Sequence, residues 1–385
     1  MSAEATAGDL PALCEGFRHA LFGRLLPIWQ EHGWDVARGG FFDRLDRRFA
    51  PVPMPAKRLL VQCRQLFVFS IAARMAPELD CAGLAQRCFA FLMDRYWDRS
   101  HGGWFFSLSP EGVPHDRRKD TYGHAFALFA LAHYHRVFGE TAALDRAAET
   151  LARLEAHSAA ANGGFHDAAD ESWRILPGAR RQNPHMHLLE AFLALYEASG
   201  DSRYRVAAER MIRFLETVFF DPASGTLGEY FSPDWRPEGA RGDIVEPGHH
   251  FEWSWLLGHA AALLRTPRHV LAERLFAWAV RYGIDAAAGG VFDELQRDGR
   301  VKTETKRLWP LAEAIRAHAM RCREGADEKA EARLARLLRH LLRCYLAPER
   351  GFIEHTDRAG RPLVDELYGS SPYHLLGAYL ELSRQ

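Results

Sequence analysis

A glycine followed by a large apolar residue returns six times along this chain at an almost constant interval. The sites are Gly39-Gly40-Phe41-Phe42, Gly102-Gly103-Trp104-Phe105, Gly163-Gly164-Phe165, Gly225-Thr226-Leu227, Gly289-Gly290-Val291-Phe292 and Gly351-Phe352. Successive leading glycines lie 63, 61, 62, 64 and 62 residues apart, so the rhythm runs through nearly all 385 residues. A unit of this length, present six times, predicts one motif copied around a ring. No linker rich in proline, glycine or serine interrupts it, and residues 1–385 are expected to form a single domain.

Between consecutive glycine sites there is room for two helices and little else. The first of each pair is the more apolar, with segments near 58–75, 119–137, 183–198, 248–265, 306–322 and 371–383. The run from His124 to Leu131 is apolar almost all round, as a helix buried on every side requires. The second helix is amphipathic, with segments near 10–30, 81–96, 203–219, 268–282 and 328–345. A sixth carries Leu144, Ala147, Ala148, Leu151 and Leu154 on one face, opposite Arg146, Glu149, Arg153 and Glu155. Six buried and six half-exposed helices in alternation predict an all-α, closed double ring, an (α/α)6 barrel. An open superhelix of helix pairs is the alternative. The glycines mark the turns, where they supply positive φ.

Composition narrows the function. Hydrophobic residues make up 48% and charged residues 26%, and the net charge is −1, so neither nucleic acid nor an acidic membrane is an expected partner. The longest apolar run, Ala125 to Ala132, is too short to span a bilayer. The start, from Met1 to Ala5, has no basic segment leading into an apolar one. Six cysteines without a Cys-x-x-Cys spacing read as reduced thiols, so a cytoplasmic protein is expected, as monomer or homodimer.

Chemistry converges at the starts of the inner helices. Asn183 and Ser371 each precede a proline and are expected to cap their helices, as is Asp120. Just inside these starts sit Arg64, His124, His187, His249 and His374, spaced by 60, 63, 62 and 125 residues, the last being two repeats. Residues at equal phase in a closed ring meet at one end of its cavity. A lone histidine among the 19 in the chain would ordinarily be a satisfied core or surface residue; several in phase on the most apolar helices point to a site. His124 is the weakest member. His187 and His249 are each followed at i+3 by a glutamate, Glu190 and Glu252, which can orient the ring and bind hydroxyls. The partial positive charge of a helix N-terminus keeps such imidazoles neutral, hence competent bases. His185 and His187 point to different helix faces, no His-Glu-x-x-His occurs, and neither a metal nor any other cofactor is expected. Tyr122, Trp253, Trp255 and Trp309 lie at or beside inner-helix starts, where flat rings among polar groups suit a sugar.

Several stretches resemble the N-acylglucosamine 2-epimerase superfamily, and within it the D-mannose isomerase branch. They are Arg58-Leu-Leu-Val-Gln-Cys-Arg64, Asn183-Pro-His-Met-His-Leu-Leu-Glu190, Pro247-Gly-His-His-Phe-Glu-Trp253, Lys306-Arg-Leu-Trp309 with Glu313, and Pro372-Tyr-His374. The resemblance implies an (α/α)6 barrel and metal-free interconversion of sugars at C1 and C2. It implies that His249 and His374 are the acid/base pair and that His187 lines the site, with Arg64, Glu190, Glu252 and Trp309 holding the sugar; Tyr122 and Asn183, at inner-helix starts, are expected to bind it as well. His187, which the N-acylglucosamine-specific branch lacks and the isomerases and cellobiose 2-epimerases share, tilts the expectation away from amino sugars; the expected reaction is D-mannose to D-fructose, with D-lyxose to D-xylulose as a side activity, through a cis-enediolate. The alternatives are a sugar 2-epimerase of cellobiose or N-acylglucosamine type and, from another class, an (α/α)6 glycoside hydrolase using carboxylates such as Asp120, Glu190, Glu252 and Glu313.

Overall fold

In the computed structural model, which describes residues 9–325, 329–347 and 351–384, helices follow the glycine rhythm pair by pair. The inner helices are Leu59–Met75, Thr121–Phe138, Gln182–Ser199, Pro247–Leu264, Leu308–Arg323 and Pro372–Leu382. Five of the six outer helices contain a π turn. Four of these end in one, as in Ala82–Phe91 followed by Leu92–Tyr96, and the first carries it between Leu10–Ala20 and Leu26–His32. Only Thr141–His157 runs as a plain α-helix. The expectations about a leader at Met1–Ala5 and about a helix starting at residue 328 lie outside the described residues.

Burial follows the division into layers. Pro247–Leu264 is buried on every face, from Pro247 through Gly258, whereas Thr141–His157 buries a single stripe of Ala143, Ala147, Thr150, Leu151 and Leu154. That stripe is rotated slightly from the expected one: Thr150 is drawn inward because its hydroxyl accepts Trp104 Nε1 at 2.9 Å. Each inner helix packs on the next, and the last packs on the first, so the ring is closed and an open superhelix is excluded.

A second ring, of short antiparallel strand pairs, runs around the end where the inner helices begin. Two residues just before an inner helix pair with a segment just after the following glycine turn. Lys57–Arg58 joins Ser107–Leu108, Lys119–Asp120 joins Ala168–Ala169, and Arg180–Arg181 joins Tyr230–Phe231. Arg44–Asp46 with Glu366–Tyr368 closes the circle between the two chain ends. The double glycines make the turns that feed this ring, with φ of +77° and +80° at Gly39 and Gly40, a region that costs a side chain energy.

Two helix caps differ from expectation. Asp120 caps through Gly123 N at 2.8 Å. Asn183, however, lies inside its helix as the second residue, and the capping position is taken by Arg181. The Ser371 hydroxyl turns away from its own helix and donates to Glu354 Oε2 at 2.5 Å.

Candidate active site

The expected convergence holds for four of the five residues. His249 and His374 are each the third residue of an inner helix, and Tyr122 and Trp309 each the second, so these four form a layer at the strand-ring mouth. Arg64 and His187 are each the sixth residue, about one turn deeper. The Trp309 ring packs against both upper histidines, 5.0 Å from His249 and 5.6 Å from His374. The edge of Tyr122 meets His187 at 5.2 Å, and its hydroxyl accepts Arg64 Nη2 at 3.0 Å. The Arg64 guanidinium packs on the rings of Phe126 and Tyr373, 4.3 Å and 4.7 Å from their centroids. Asn183 stands at the same mouth, its buried Oδ1 without a hydrogen-bond partner among the described residues.

His124 does not join them. Its Nε2 accepts the backbone N–H of Trp104 at 3.0 Å, and its Nδ1 donates to the Asp120 carbonyl at 2.8 Å. His185 makes the same pair of bonds with Phe165 N and Arg181 O, and His250 with Leu227 N and Glu246 O. In the first repeat Gln62 does this work, with Phe41 N. Each pins a glycine turn to the inner helix that follows it. Burial drives His124 and His185 down to about 3 and His250 to about 4, so all three stay neutral.

The three site histidines share one arrangement: a buried carboxylate at Nδ1. Glu190 Oε2 stands 3.2 Å from His187, Glu229 Oε2 2.9 Å from His249, and Glu313 Oε1 2.6 Å from His374. An ionised carboxylate only accepts, so Nδ1 carries the hydrogen and Nε2 is left for chemistry. The carboxylates are themselves braced. Tyr373 donates to Glu190, Arg316 bridges Glu190 (3.2 Å) and Glu313 (3.5 Å), and Gln182, held by Trp253, donates to Glu229 at 2.9 Å.

Similar pairs differ in proton affinity. Burial disfavours imidazolium at His374, the neighbouring Arg64 and His187 add to the effect, and the ring is held well below its usual range, neutral. Burial also lowers His187. At His249 burial pulls the same way but is outweighed by Glu229 and Glu246, and its affinity for the proton rises. The expectation that a helix N-terminus keeps every one of these rings neutral therefore fails at His249, where two carboxylates overcome it. Among the acids, burial pushes Glu313 up to about 7 against the pull of Arg316. Burial, with Glu313 and Glu190 beside it, raises Glu252 so that it stays protonated; its Oε1 is buried without a hydrogen-bond partner.

Two trios, His187 with Glu190 and Glu252, and His249 with Glu229 and Glu246, bring their ligand atoms within 4.8 Å of one another and have the composition of metal sites. Their oxygens are largely engaged already, Glu190 by His187, Arg316 and Tyr373, and Glu229 by His249, Gln182 and Glu246 N.

Glu229, Glu313, Arg316 and Tyr373 complete a site that had been drawn from nine residues. Glu229 had a visible signal: it lies four residues after Gly225, as Asp43, Asp167 and Asp293 lie four after Gly39, Gly163 and Gly289. Those three aspartates clamp Arg58, Arg181 and Arg307 at the mouth, whereas Glu229 turns to a histidine.

Comparison with known proteins shows the family. Residues 40–378 match the family model described as N-acylglucosamine 2-epimerase. A protein of Rhizobium meliloti named mannose-6-phosphate isomerase is 34% identical over 93% of both chains. D-mannose isomerase of Thermobifida fusca is 32% identical over 75% of this chain and 74% of that one. The structure of cellobiose 2-epimerase from Spirochaeta thermophila superposes with a TM-score of 0.88 at 30% identity, covering 98% of this chain and 97% of the other.

Proposed function

The chain belongs to the N-acylglucosamine 2-epimerase family, a sugar isomerase or epimerase, and from that premise we propose that it interconverts free D-mannose and D-fructose. D-lyxose and D-xylulose are a side pair. The observation that carries this reading is the pair of imidazoles packed against Trp309, one held neutral and the other with a raised affinity for its proton.

In the open-chain aldose the C2 hydrogen is acidic because the C1 carbonyl can take up the charge. Nε2 of His374 accepts that hydrogen. Arg64, protonated His249 and the neutral acid Glu252 are the donors available to O1 as it becomes negative. A proton from His249 converts O1 to a hydroxyl and gives the cis-enediol. The proton on His374 exchanges with solvent while the enediol is bound; when His374 then delivers a proton to C1 and O2 gives its own proton back to His249, the product is the ketose. Return to C2 from the other face would give the epimer. No step uses a metal or a redox cofactor.

A free sugar suits the mouth better than a phosphorylated one. A phosphate needs unpaired cations, and Arg58, Arg181 and Arg307 are each tied to a carboxylate. The hydrolase reading loses support because Glu190, Glu229 and Glu313 are engaged as histidine partners rather than free to flank a glycosidic bond. The 2-epimerase reading remains the closest rival. A panel of mannose, mannose 6-phosphate, N-acetylglucosamine and cellobiose, followed by NMR with chelator present, tests the proposal. Fructose formed from mannose at the highest kcat/KM supports it; preferred turnover of the phosphate or of cellobiose refutes it.

A further inference from the structure

The barrel has a second chamber. Behind the site, among the C-terminal halves of the inner helices, lies a cavity of about 50 Å³ lined by His133, Ala194, Trp255, His259 and Gly377. Arg316 and Glu190 line it too, and so separate it from the sugar pocket. The volume accommodates about one or two water molecules. Arg316 Nε and His133 Nδ1 are both buried without a hydrogen-bond partner among the described residues, and a water there would meet them.

Arg316 is the hinge between the chambers. It is 6% exposed, and its guanidinium carbon sits over Trp255, 3.3 Å from the ring centroid. One Nη holds Glu190, the carboxylate behind His187; the other holds Glu313, the carboxylate behind His374. Glu190 in turn accepts from Tyr373, whose ring packs against His374 at 4.7 Å. One planar cation thus fixes the partners of two site histidines, and as an arginine it does not deprotonate.

We propose that Arg316 is a positioning residue that keeps Glu313 ionised and so holds His374 in the tautomer with a free Nε2. The inference rests on His374 being the base of the reading above. Its logic is electrostatic. Glu313 faces Arg316 on its own helix, Glu190 and His187 on Gln182–Ser199, Glu252 on Pro247–Leu264, and Tyr373 and His374 on Pro372–Leu382. Of these only Arg316 is a permanent cation. If Glu313 took up a proton it could donate to Nδ1, and the imidazole hydrogen would move to Nε2, the atom that must accept from C2. Arg316 acts through Glu313 and touches no sugar.

The test compares R316M and R316K with the parent enzyme. In R316M the ascending limb of the kcat/KM–pH profile should move up by about 1–3 pH units, the effect of one neighbouring opposite charge on a carboxylate. R316K keeps the charge but not the planar fork, and should shift the limb less. In parallel, 15N NMR of the His374 ring reads its tautomer without substrate. About one pH unit above the Glu313 value of about 7, the parent should carry hydrogen on Nδ1 and R316M should have lost that preference. If R316M does not fold, R316Q, which also removes the charge, takes its place. An unshifted limb together with an unchanged tautomer in a folded variant overturns the proposal. A shifted tautomer in an enzyme that leaves mannose untouched would instead defeat the substrate reading while keeping this one.

Discussion

His374 and His249 carry opposite requirements, and pH separates them. His374 needs Glu313 ionised, so activity should be lost as pH falls through the Glu313 value of about 7. His249 must hold a proton to serve O1. Its affinity is raised above the ordinary imidazole value by Glu229 and Glu246, so activity should fall again as pH rises past that raised value. The profile of kcat/KM should therefore be a bell. Replacing Glu229 by Gln removes a charge that raises His249, and the descending limb should move to lower pH; an unmoved limb would separate Glu229 from His249. Replacing His374 by Ala should reduce kcat/KM by about 10²–10⁴ while circular dichroism stays that of the parent. Near-normal turnover in that variant would remove His374 from the mechanism.

At the scale of elements, six inner helices and their order were legible because a buried helix is apolar all round and a half-exposed one is striped, as in Thr121–Phe138 and Thr141–His157. The strand ring was not, because each strand is two or three residues long, below the length at which alternation becomes a pattern. The histidines were half legible. Phase in the repeat collected Arg64, His187, His249 and His374, but it also admitted His124, because sites two residues apart on one helix fall within the scatter of the repeat length. What separates them is which way the ring faces, and His124 faces a glycine turn. Replacing His124 by Ala should thus cost about 1–3 kcal/mol of stability, the penalty of an unpaired buried N–H at Trp104, and leave the parent's pH profile. Denaturant unfolding and a pH scan check both parts. Glu229 escaped because its periodic place after the glycine turn marks a carboxylate but not which partner it turns to, a histidine here and an arginine in three other repeats; Arg316 escaped because it pairs across helices, a relation that is not periodic along the chain.

The whole molecule is a ring with two faces. The strand ring at the front, closed by Arg44–Asp46 against Glu366–Tyr368, holds the inner-helix starts at fixed distances, and the histidines inherit their separation from it. Among the described residues no helix is long and apolar enough to cross a membrane. Because the histidine–carboxylate pairs are internally compensated, activity should be unchanged after dialysis against a strong chelator. A loss restored by one divalent ion would turn the trio of His187, Glu190 and Glu252, or that of His249, Glu229 and Glu246, into a metal centre. The most direct test follows the transferred hydrogen: mannose is incubated with the enzyme in deuterated water, chelator present, and the early product is examined by NMR. The account predicts fructose that carries solvent deuterium at C1. Label at C2 of a 2-epimer, with no ketose formed, would contradict it.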